Sequence, residues 1–197
     1  MAVYRVEGCS WNCYPGTTVL VNKLDIRDQA ELDTAEKQIT LLRGIQAEQE
    51  TEFRDVDFEF YKRLHFTIFS DLYDWAGKLR TINISKKGTV FCKHDELETI
   101  GRLKFERLRS LDYLCGMSPD RFLDELAELY HELNMLHPFR EGNGRTLRLF
   151  ITLLVRNAGH DTDFACCDSD MLSIATIRAA QGDITLLRRV FEEIIQI

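Results

Sequence analysis

The stretch HPFREGNGRTLRLF occupies residues 137–150. It sits among good helix formers, yet it brackets Asn143 with two glycines and gathers His137, Arg140, Glu141, Arg145 and Arg148 within twelve residues. A glycine weakens a helix interior by about 1 kcal/mol relative to alanine, and charges resist burial, so the cluster must have a local reason. Its flanks supply the architecture. Ser118-Pro119 is a cap followed by proline at the first helical position. Phe122, Leu126, Leu129, Leu133 and Leu136 then recur on one helical face. The residue before Pro138 is biased away from helix, so this helix stops at Leu136-His137. Asn143 and Gly144 open a second helix that runs to Ala158, with Gly159 as its stop. Leu147, Leu149, Phe150, Ile151, Leu153, Leu154 and Val155 leave that helix little polar face, the pattern of a central, buried helix.

The cluster therefore lies at the mouth of a buried helix, where unpaired N–H groups and the positive dipole end favour an anion. Gly142 and Gly144 let backbone donors approach an anion closely, and Asn143 suits a cap and adds an amide donor. Arg145 and Arg148, three apart, share one side of the first turns. Such a cradle suits a di- or triphosphate. Glu141 beside it conflicts with a polyanion unless Mg2+ bridges carboxylate and phosphate oxygens. His137, with an ordinary pKa near neutrality, is placed to take a proton from an attacking hydroxyl. Pro138 and Phe139 read as wedges that hold the loop against the core.

The remaining chain reads as helix around this centre. Asp28 caps a helix near 29–49 with Leu32, Ala35, Ile39, Leu42 and Ile45 on one face. Asp57 caps a helix near 58–76 whose stripe is Phe58, Tyr61, Leu64, Ile68, Leu72 and Trp75, with Gly77 ending it. Between 79 and 93 the period changes. Ile82 and Ile84 alternate with Asn83 and Ser85, Lys86-Lys87-Gly88 makes a turn, and Thr89–Cys92 runs back as a short β-hairpin. Asp95 caps a helix to Leu114, ended by Gly116, and two shorter helices follow near 169–181 and 184–196. The expected fold class is all-α with one hairpin. No repeat, low-complexity tract or linker divides residues 1–197, so a single domain is expected.

Composition bounds the function. Of 197 residues 45% are hydrophobic, which argues for a folded core, and a net charge of −7 gives no support for nucleic-acid or bulk membrane binding. The N-terminus lacks an apolar core of signal-peptide length and Leu149–Val155 is too short to span a bilayer, so a cytoplasmic location is expected. Among six cysteines, Cys9 and Cys13 alone have a ligand-like spacing and no matching pair follows; reduced thiols are the expected state.

The segment HPFREGNGRTLR resembles the motif HxFx(D/E)GNGRxxR of the Fic (filamentation induced by cAMP) family at every defined position. The resemblance extends over nearly the whole chain, including YPGT at 14–17 and the hairpin before the motif. It implies the Fic fold, a helical bundle with a β-hairpin flap, and a protein adenylyltransferase that moves AMP from ATP to a hydroxyl side chain of a target protein with Mg2+. By position it implies His137 as general base, Glu141 as the Mg2+ ligand and Asn143 at the α-phosphate. Gly142 and Gly144 would be backbone donors, Arg145 would meet the β-phosphate and Arg148 the γ-phosphate, and Phe139 would pack the loop. Ile84, Ser85, Lys86, Lys87 and Gly88 would form the target-docking flap, which pairs with the target like an added strand. Divergent relatives transfer UMP, phosphate or phosphocholine instead, and a non-catalytic nucleotide-binding module is a further alternative.

Family members are commonly restrained by a helix bearing (S/T)xxxE(G/N), whose Glu pairs with the second arginine. The nearest match here, Val3 to Glu7-Gly8, has Val3 where Ser or Thr belongs. The chain thus resembles the toxin of bacterial Fic toxin–antitoxin pairs. That implies a separate small antitoxin carrying the motif, targets in DNA gyrase B and topoisomerase IV, and an Arg148 with no partner inside the chain.

Overall fold

The computed structural model describes residues 5–6, 12–86 and 88–196. Among them, seven helices and five short strands follow the order β1 (Arg5–Val6), α1 (Gln29–Glu50), α2 (Phe58–Phe69), β2 (Ile84–Lys86), β3 (Thr89–Val90), α3 (Leu97–Ser110), α4 (Pro119–Leu136), α5 (Asn143–Asn157), β4 (Asp161–Thr162), α6 (Ser169–Ala180), α7 (Thr185–Ile194) and β5 (Ile195–Gln196). The expected mostly helical architecture with a hairpin is what forms.

Helix α5 is the axis. Thr146, Leu147, Phe150, Ile151, Leu154 and Val155 are buried, and α1, α2 and α4 pack around it. Phe150 is fully buried and meets the Tyr61 ring edge-on at 5.4 Å and the Phe105 ring at 5.3 Å, tying α5 to α2 and α3. Helix α4 covers another side through Phe122, Leu126, Leu129, Leu133 and Leu136, all buried as the spacing requires, and carries α3, α6 and α7. Burying side chains of this size stabilises the fold by about 1.5–3 kcal/mol each before entropy is counted.

Four expectations need correction. The α1 stripe is misassigned: Leu42 and Ile45 are exposed, and Leu32, Glu36, Thr40 and Ala47 face inward. The supposed stripe advances by steps of three, four, three and three, which precesses about 140° around a helix of 3.6 residues per turn. Charged Glu36 takes the inward face because Arg145 and Tyr73 meet its carboxylate there. The second helix ends at Phe69, short of residue 76. Lys23 draws the chain aside, its backbone N–H donating to the Leu72 carbonyl at 2.8 Å and its Nζ to the Ser70 carbonyl at 2.7 Å. Leu72 and Trp75 still reach the core, from a turn. The third helix runs from Leu97 to Ser110, and Asp112, Tyr113 and Leu114 follow in left-handed backbone with φ of 48°, 52° and 66°. Strand pairing also exceeds the hairpin: β1 lies antiparallel on β2, with Arg5 opposite Ser85 and Val6 opposite Ile84, and β4 pairs with β5.

At Gly101, α3 lies close against Phe58 of α2. A Cβ there would fall 2.4 Å from the Phe58 ring, which is buried and unable to swing clear. Gly101→Ala should therefore lower unfolding free energy by about 1–3 kcal/mol, the usual cost of overpacking. Urea titration at constant m-value checks this; unchanged stability would mean that the two helices part without cost.

Candidate active site

Helix α4 ends on His137, whose backbone takes the left-handed conformation at φ 44° and ψ 58°. The residue is 6% exposed and its ring stacks on Phe91, just after the hairpin, at 3.7 Å with planes 13° apart. Its Nδ1 lies 3.0 Å from the Asn134 carbonyl. A carbonyl only accepts, so Nδ1 carries the proton and Nε2 holds the lone pair. Burial pushes the imidazole down to about 3, with the charges of Lys86 and Arg80 adding to the effect and the Asn134 bond opposing it. At neutral pH the ring is an uncharged acceptor.

The loop after His137 is shaped by two inward groups. Asn143 accepts from the Phe139 N–H at 2.9 Å and donates to the Phe139 carbonyl at 2.8 Å. Phe139 is fully buried and stacks on His65 at 3.9 Å. Nδ1 of His65 accepts from the Gly77 N–H at 2.9 Å, so its Nε2 donates to the Glu141 carbonyl at 3.0 Å. Gly142 then turns the chain into α5 with φ 81°, where any Cβ would lie 2.3 Å from the Phe69 ring. Glycine is the residue that this turn admits. Its carbonyl accepts from both the N–H and the hydroxyl of Thr146, which closes the first helical turn.

Three charged side chains of the motif frame the space beyond. Glu141 accepts from the Gly142 N–H at 2.9 Å and sits 3.8 Å from Arg145. Burial raises its pKa; the Gly142 N–H and Arg145 oppose this, and the Glu36 carboxylate reinforces it. Arg145 is held from below by Glu36 at 2.5 Å and the Thr40 hydroxyl at 3.0 Å, with its guanidinium 4.8 Å over the Phe69 ring. Glu36 also accepts a short hydrogen bond from the Tyr73 hydroxyl. The Arg148 charge lies near the hydroxyl of Tyr130, a phenol whose pKa burial pushes up to about 12 and Arg148 lowers in part.

These groups converge on one cavity of about 570 Å³. His137, Glu141, Gly142, Gly144, Arg145 and Arg148 line it, as do Lys86 and Thr89 of the hairpin and Phe91 just after it. Helix α6 closes the far wall with Leu172, Ser173, Thr176 and Ile177. Several expectations shift. Asn143 is not among the lining residues; its amide braces the loop on the Phe139 backbone. Ile84 is buried with its strand between β1 and β3, and Ser85 pairs within the sheet, so neither lines the cavity. Gly88 makes the hairpin turn at φ 83°, and Lys87 lies outside the described residues. Arg148 lines the cavity with the buried Tyr130 nearby. Cys9 and most of the Val3–Gly8 segment are outside the described residues, but Arg5–Val6 is strand, not helix. Among the described residues the cysteines are free thiols, no His/Cys/Asp/Glu trio gathers as a metal cage, and no helix is long and apolar enough to cross a membrane.

Sequence reasoning missed Phe91, Tyr130, Asn134, His65, Arg80 and Glu36. A signal existed for two of them: Tyr130, Asn134 and His137 fall at i, i+4 and i+7 on one face of α4. A helical Glu such as Glu36 reads as solvated until its partners, far along the chain, are known.

His65 generates a pH prediction. It is held neutral in the fold, its pKa lowered from 6.5 to about 3 by burial, while the unfolded chain takes up its proton below 6.5. The contribution is fully present above pH 6.5 and is lost as pH falls toward 3. Denaturant unfolding across that window should show stability falling more steeply in the wild type than in His65→Asn, by up to about 1.4 kcal/mol per pH unit. Parallel slopes would exclude a neutral His65 in the fold.

Comparison with known proteins places the site in context. The Fic/DOC family model matches residues 55–155. The chain is 38% identical over 176 residues, 89% of its length and 90% of the relative's, to a probable protein adenylyltransferase of Sinorhizobium fredii. It is 32% identical over 189 residues, 96% of its length and 94% of the relative's, to the probable protein adenylyltransferase Fic of Escherichia coli. The crystal structure of BepC, a VirB-translocated effector of Bartonella tribocorum with bound AMPPNP, superposes with a TM-score of 0.87 at 26% identity, covering 94% of this chain and 96% of that one. With a helical fold, a hairpin beside the cavity and this motif at its mouth, the chain belongs to the Fic/DOC family.

Proposed function

We propose that the chain is a Mg2+-dependent protein adenylyltransferase that transfers AMP from ATP to a hydroxyl side chain of a target protein. The observation that carries this reading is the convergence of an Nε2 acceptor on His137, the Glu141 carboxylate and two arginines on one cavity at the N-terminus of α5. Its volume of about 570 Å³ suits a nucleotide. Arg145 and Arg148 take the β- and γ-phosphates, the N–H groups of the first α5 turn face the chain of phosphates, and α6 offers hydroxyls and apolar carbons to the base. The relative crystallised with AMPPNP supports a nucleotide as co-substrate.

The chemistry follows from these positions. The target hydroxyl oxygen attacks the α-phosphorus and forms the new O–P bond, while the bond to the bridging oxygen breaks and pyrophosphate departs. The hydroxyl proton passes to Nε2 of His137, and the imidazolium so formed faces the phosphate charge. Arg145 and Arg148 hold the leaving group's negative charge. Glu141 suits Mg2+, which takes one or two protein carboxylates together with phosphate oxygens. Bound there, the ion would neutralise phosphate charge and orient the α-phosphate for in-line attack. Target docking falls to the hairpin. Strand β1 already pairs with one edge of β2, which leaves the outer edge of β3, where Val90 is 72% exposed, for an added strand.

The resemblance to Fic toxins extends the proposal to a target in DNA gyrase B and topoisomerase IV and to a separate antitoxin. A groove of about 390 Å³ between α1 and α5 fits the antitoxin helix. Leu41, Gly44, Ile45, Leu149 and Thr152 line it, and it opens onto Arg145 and Arg148. Leu41 and Ile45 are 62% and 49% exposed, an apolar strip beside two cations, which matches an amphipathic helix bearing one Glu.

Incubation with ATP labelled on the α-phosphate should mark purified DNA gyrase B or its topoisomerase IV counterpart, and His137→Ala should reduce transfer by about 10²–10⁴-fold, the scale of general-base catalysis. No labelling of either protein would remove these targets; no labelling of any bacterial protein, or undiminished labelling by the variant, would sink the activity. A mass increment other than AMP would favour transfer of a different group. For the groove, Ile45→Asp should leave transfer intact and abolish relief of toxicity by a partner bearing (S/T)xxxE(G/N). Unaltered relief would place the antitoxin elsewhere.

A further inference from the structure

Among the described residues, the largest fully buried side chain is Arg80, 2% exposed, between the second helix and the hairpin. Its guanidinium joins two bodies. Nε donates to the His137 carbonyl at 2.8 Å and one Nη to the Leu136 carbonyl at 3.5 Å, at the end of α4. The same fork donates to the Ile82 carbonyl at 2.7 Å and, through a short bond, to the Cys92 carbonyl, at the two feet of the hairpin. Its backbone N–H donates to the Pro138 carbonyl at 2.9 Å. The last carbonyls of a helix lack partners and carry the negative end of its dipole, so a buried cation there satisfies acceptors that the fold leaves open. A planar fork with five donors spans both bodies at once; a point charge does not.

The contacts around this fork run in the same sense. The Cys92 N–H donates to the Met135 carbonyl at 2.9 Å, and Phe91, the residue before it, lies flat on the His137 ring. The left-handed backbone of His137 is uncommon for a side-chain-bearing residue and persists where its surroundings determine it. Its carbonyl is fixed by Arg80 and its ring by Phe91, and both tie it to the hairpin.

We infer that Arg80 is a positioning residue that locks the hairpin feet to the C-terminus of α4, so that a target strand aligned on the hairpin is thereby aligned with Nε2 of His137. This rests on the adenylyltransferase reading for its kinetic consequence, and on geometry alone for the lock itself.

The test compares wild type, Arg80→Gln and Arg80→Lys, with His137→Ala as the inactive control. Transfer from labelled ATP into the protein that the wild type marks is measured at saturating ATP. Each rate is normalised to the fraction of molecules that bind AMPPNP. The expected result is a normalised kcat lowered by about 10²-fold in Arg80→Gln, the scale of a misplacement of about 1 Å. Arg80→Lys should fall between it and the wild type, with AMPPNP affinity unchanged in both. Amide hydrogen exchange supplies a readout independent of activity. The Cys92 and His137 amides should exchange faster in Arg80→Gln while those of α5 keep their protection.

A normalised kcat equal to the wild type's, a loss of AMPPNP affinity that accounts for the fall in rate, or unchanged exchange at both amides would overturn the proposal. If Arg80→Gln does not fold, Arg80→Lys decides by the same criteria. It keeps the buried charge but cannot span the two bodies. If the wild type transfers nothing, or no more than His137→Ala, the adenylyltransferase reading fails and the exchange data still decide the lock.

Discussion

The whole site hangs on where the first turn of α5 points, and that direction is set at Gly142. The chain must leave α4, cross the core and re-enter as a buried helix within six residues, and the Phe69 ring leaves no room for a Cβ at the turn. Phe139 anchors the crossing between the rings of His65 and Tyr61, at 3.9 and 5.7 Å. Asn143 closes it on both polar atoms of the Phe139 backbone, and His65 holds the Glu141 carbonyl. Each of these fastenings is buried, so the loop is determined by packing rather than by its own weak propensity. Tight packing is what places the cationic end of the helix at the cavity and keeps it there.

The arginines are held by different means, and the difference matters for a polyanion site. Arg145 rests on a buried carboxylate, a threonine hydroxyl and an aromatic face, which fixes its plane before any ligand arrives. Burying Glu36 would be costly alone; with Arg145 and Tyr73 as partners its lone pairs are satisfied. The arrangement lowers the net charge that Arg145 presents and exchanges attraction for preorganisation. Arg148 lines the same cavity beside the buried Tyr130 and rests on no such buried carboxylate among the described residues. The stronger pull on an anion therefore sits one turn further along α5.

How much of this the sequence disclosed depends on the range of the interaction concerned. Local signals spoke plainly: Ser118-Pro119, the apolar run of α4, the stop before Pro138 and Gly159 placed both helices around the motif within a residue or two. The site residues on the motif were legible because their chemistry is packed into one segment. What failed was non-local. Glu36 faces inward for partners 37 and 109 residues away, and a stripe search on apolar residues drew α1 to the wrong face. The end of α2 was set by Lys23, a residue outside its own pattern. Arg80 looked like an ordinary basic residue before a hairpin, because four backbone carbonyls carry no sequence signature. Strands β4 and β5 were missed because two-residue strands lie below any periodicity.

The electrostatics of the proposed reaction resolve an apparent weakness in the base. With its pKa near 3, His137 binds a proton poorly, which suits a neutral acceptor but not a group that must keep the proton during transfer. Burial is the largest cause of that shift, and Lys86 and Arg80 push the same way. In the proposed reaction, a triphosphate in the cavity would reverse the sign of the nearby field. Opposite charge within a few ångströms in a poorly screened site favours the protonated ring, by an amount that grows as the dielectric falls. The imidazole is thus neutral in this fold and would become a stronger base with a substrate's phosphates facing it, as the proposed reaction requires. On this view the low intrinsic proton affinity keeps the ring in its accepting form across physiological pH, and the nucleotide itself supplies the charge that makes proton capture favourable.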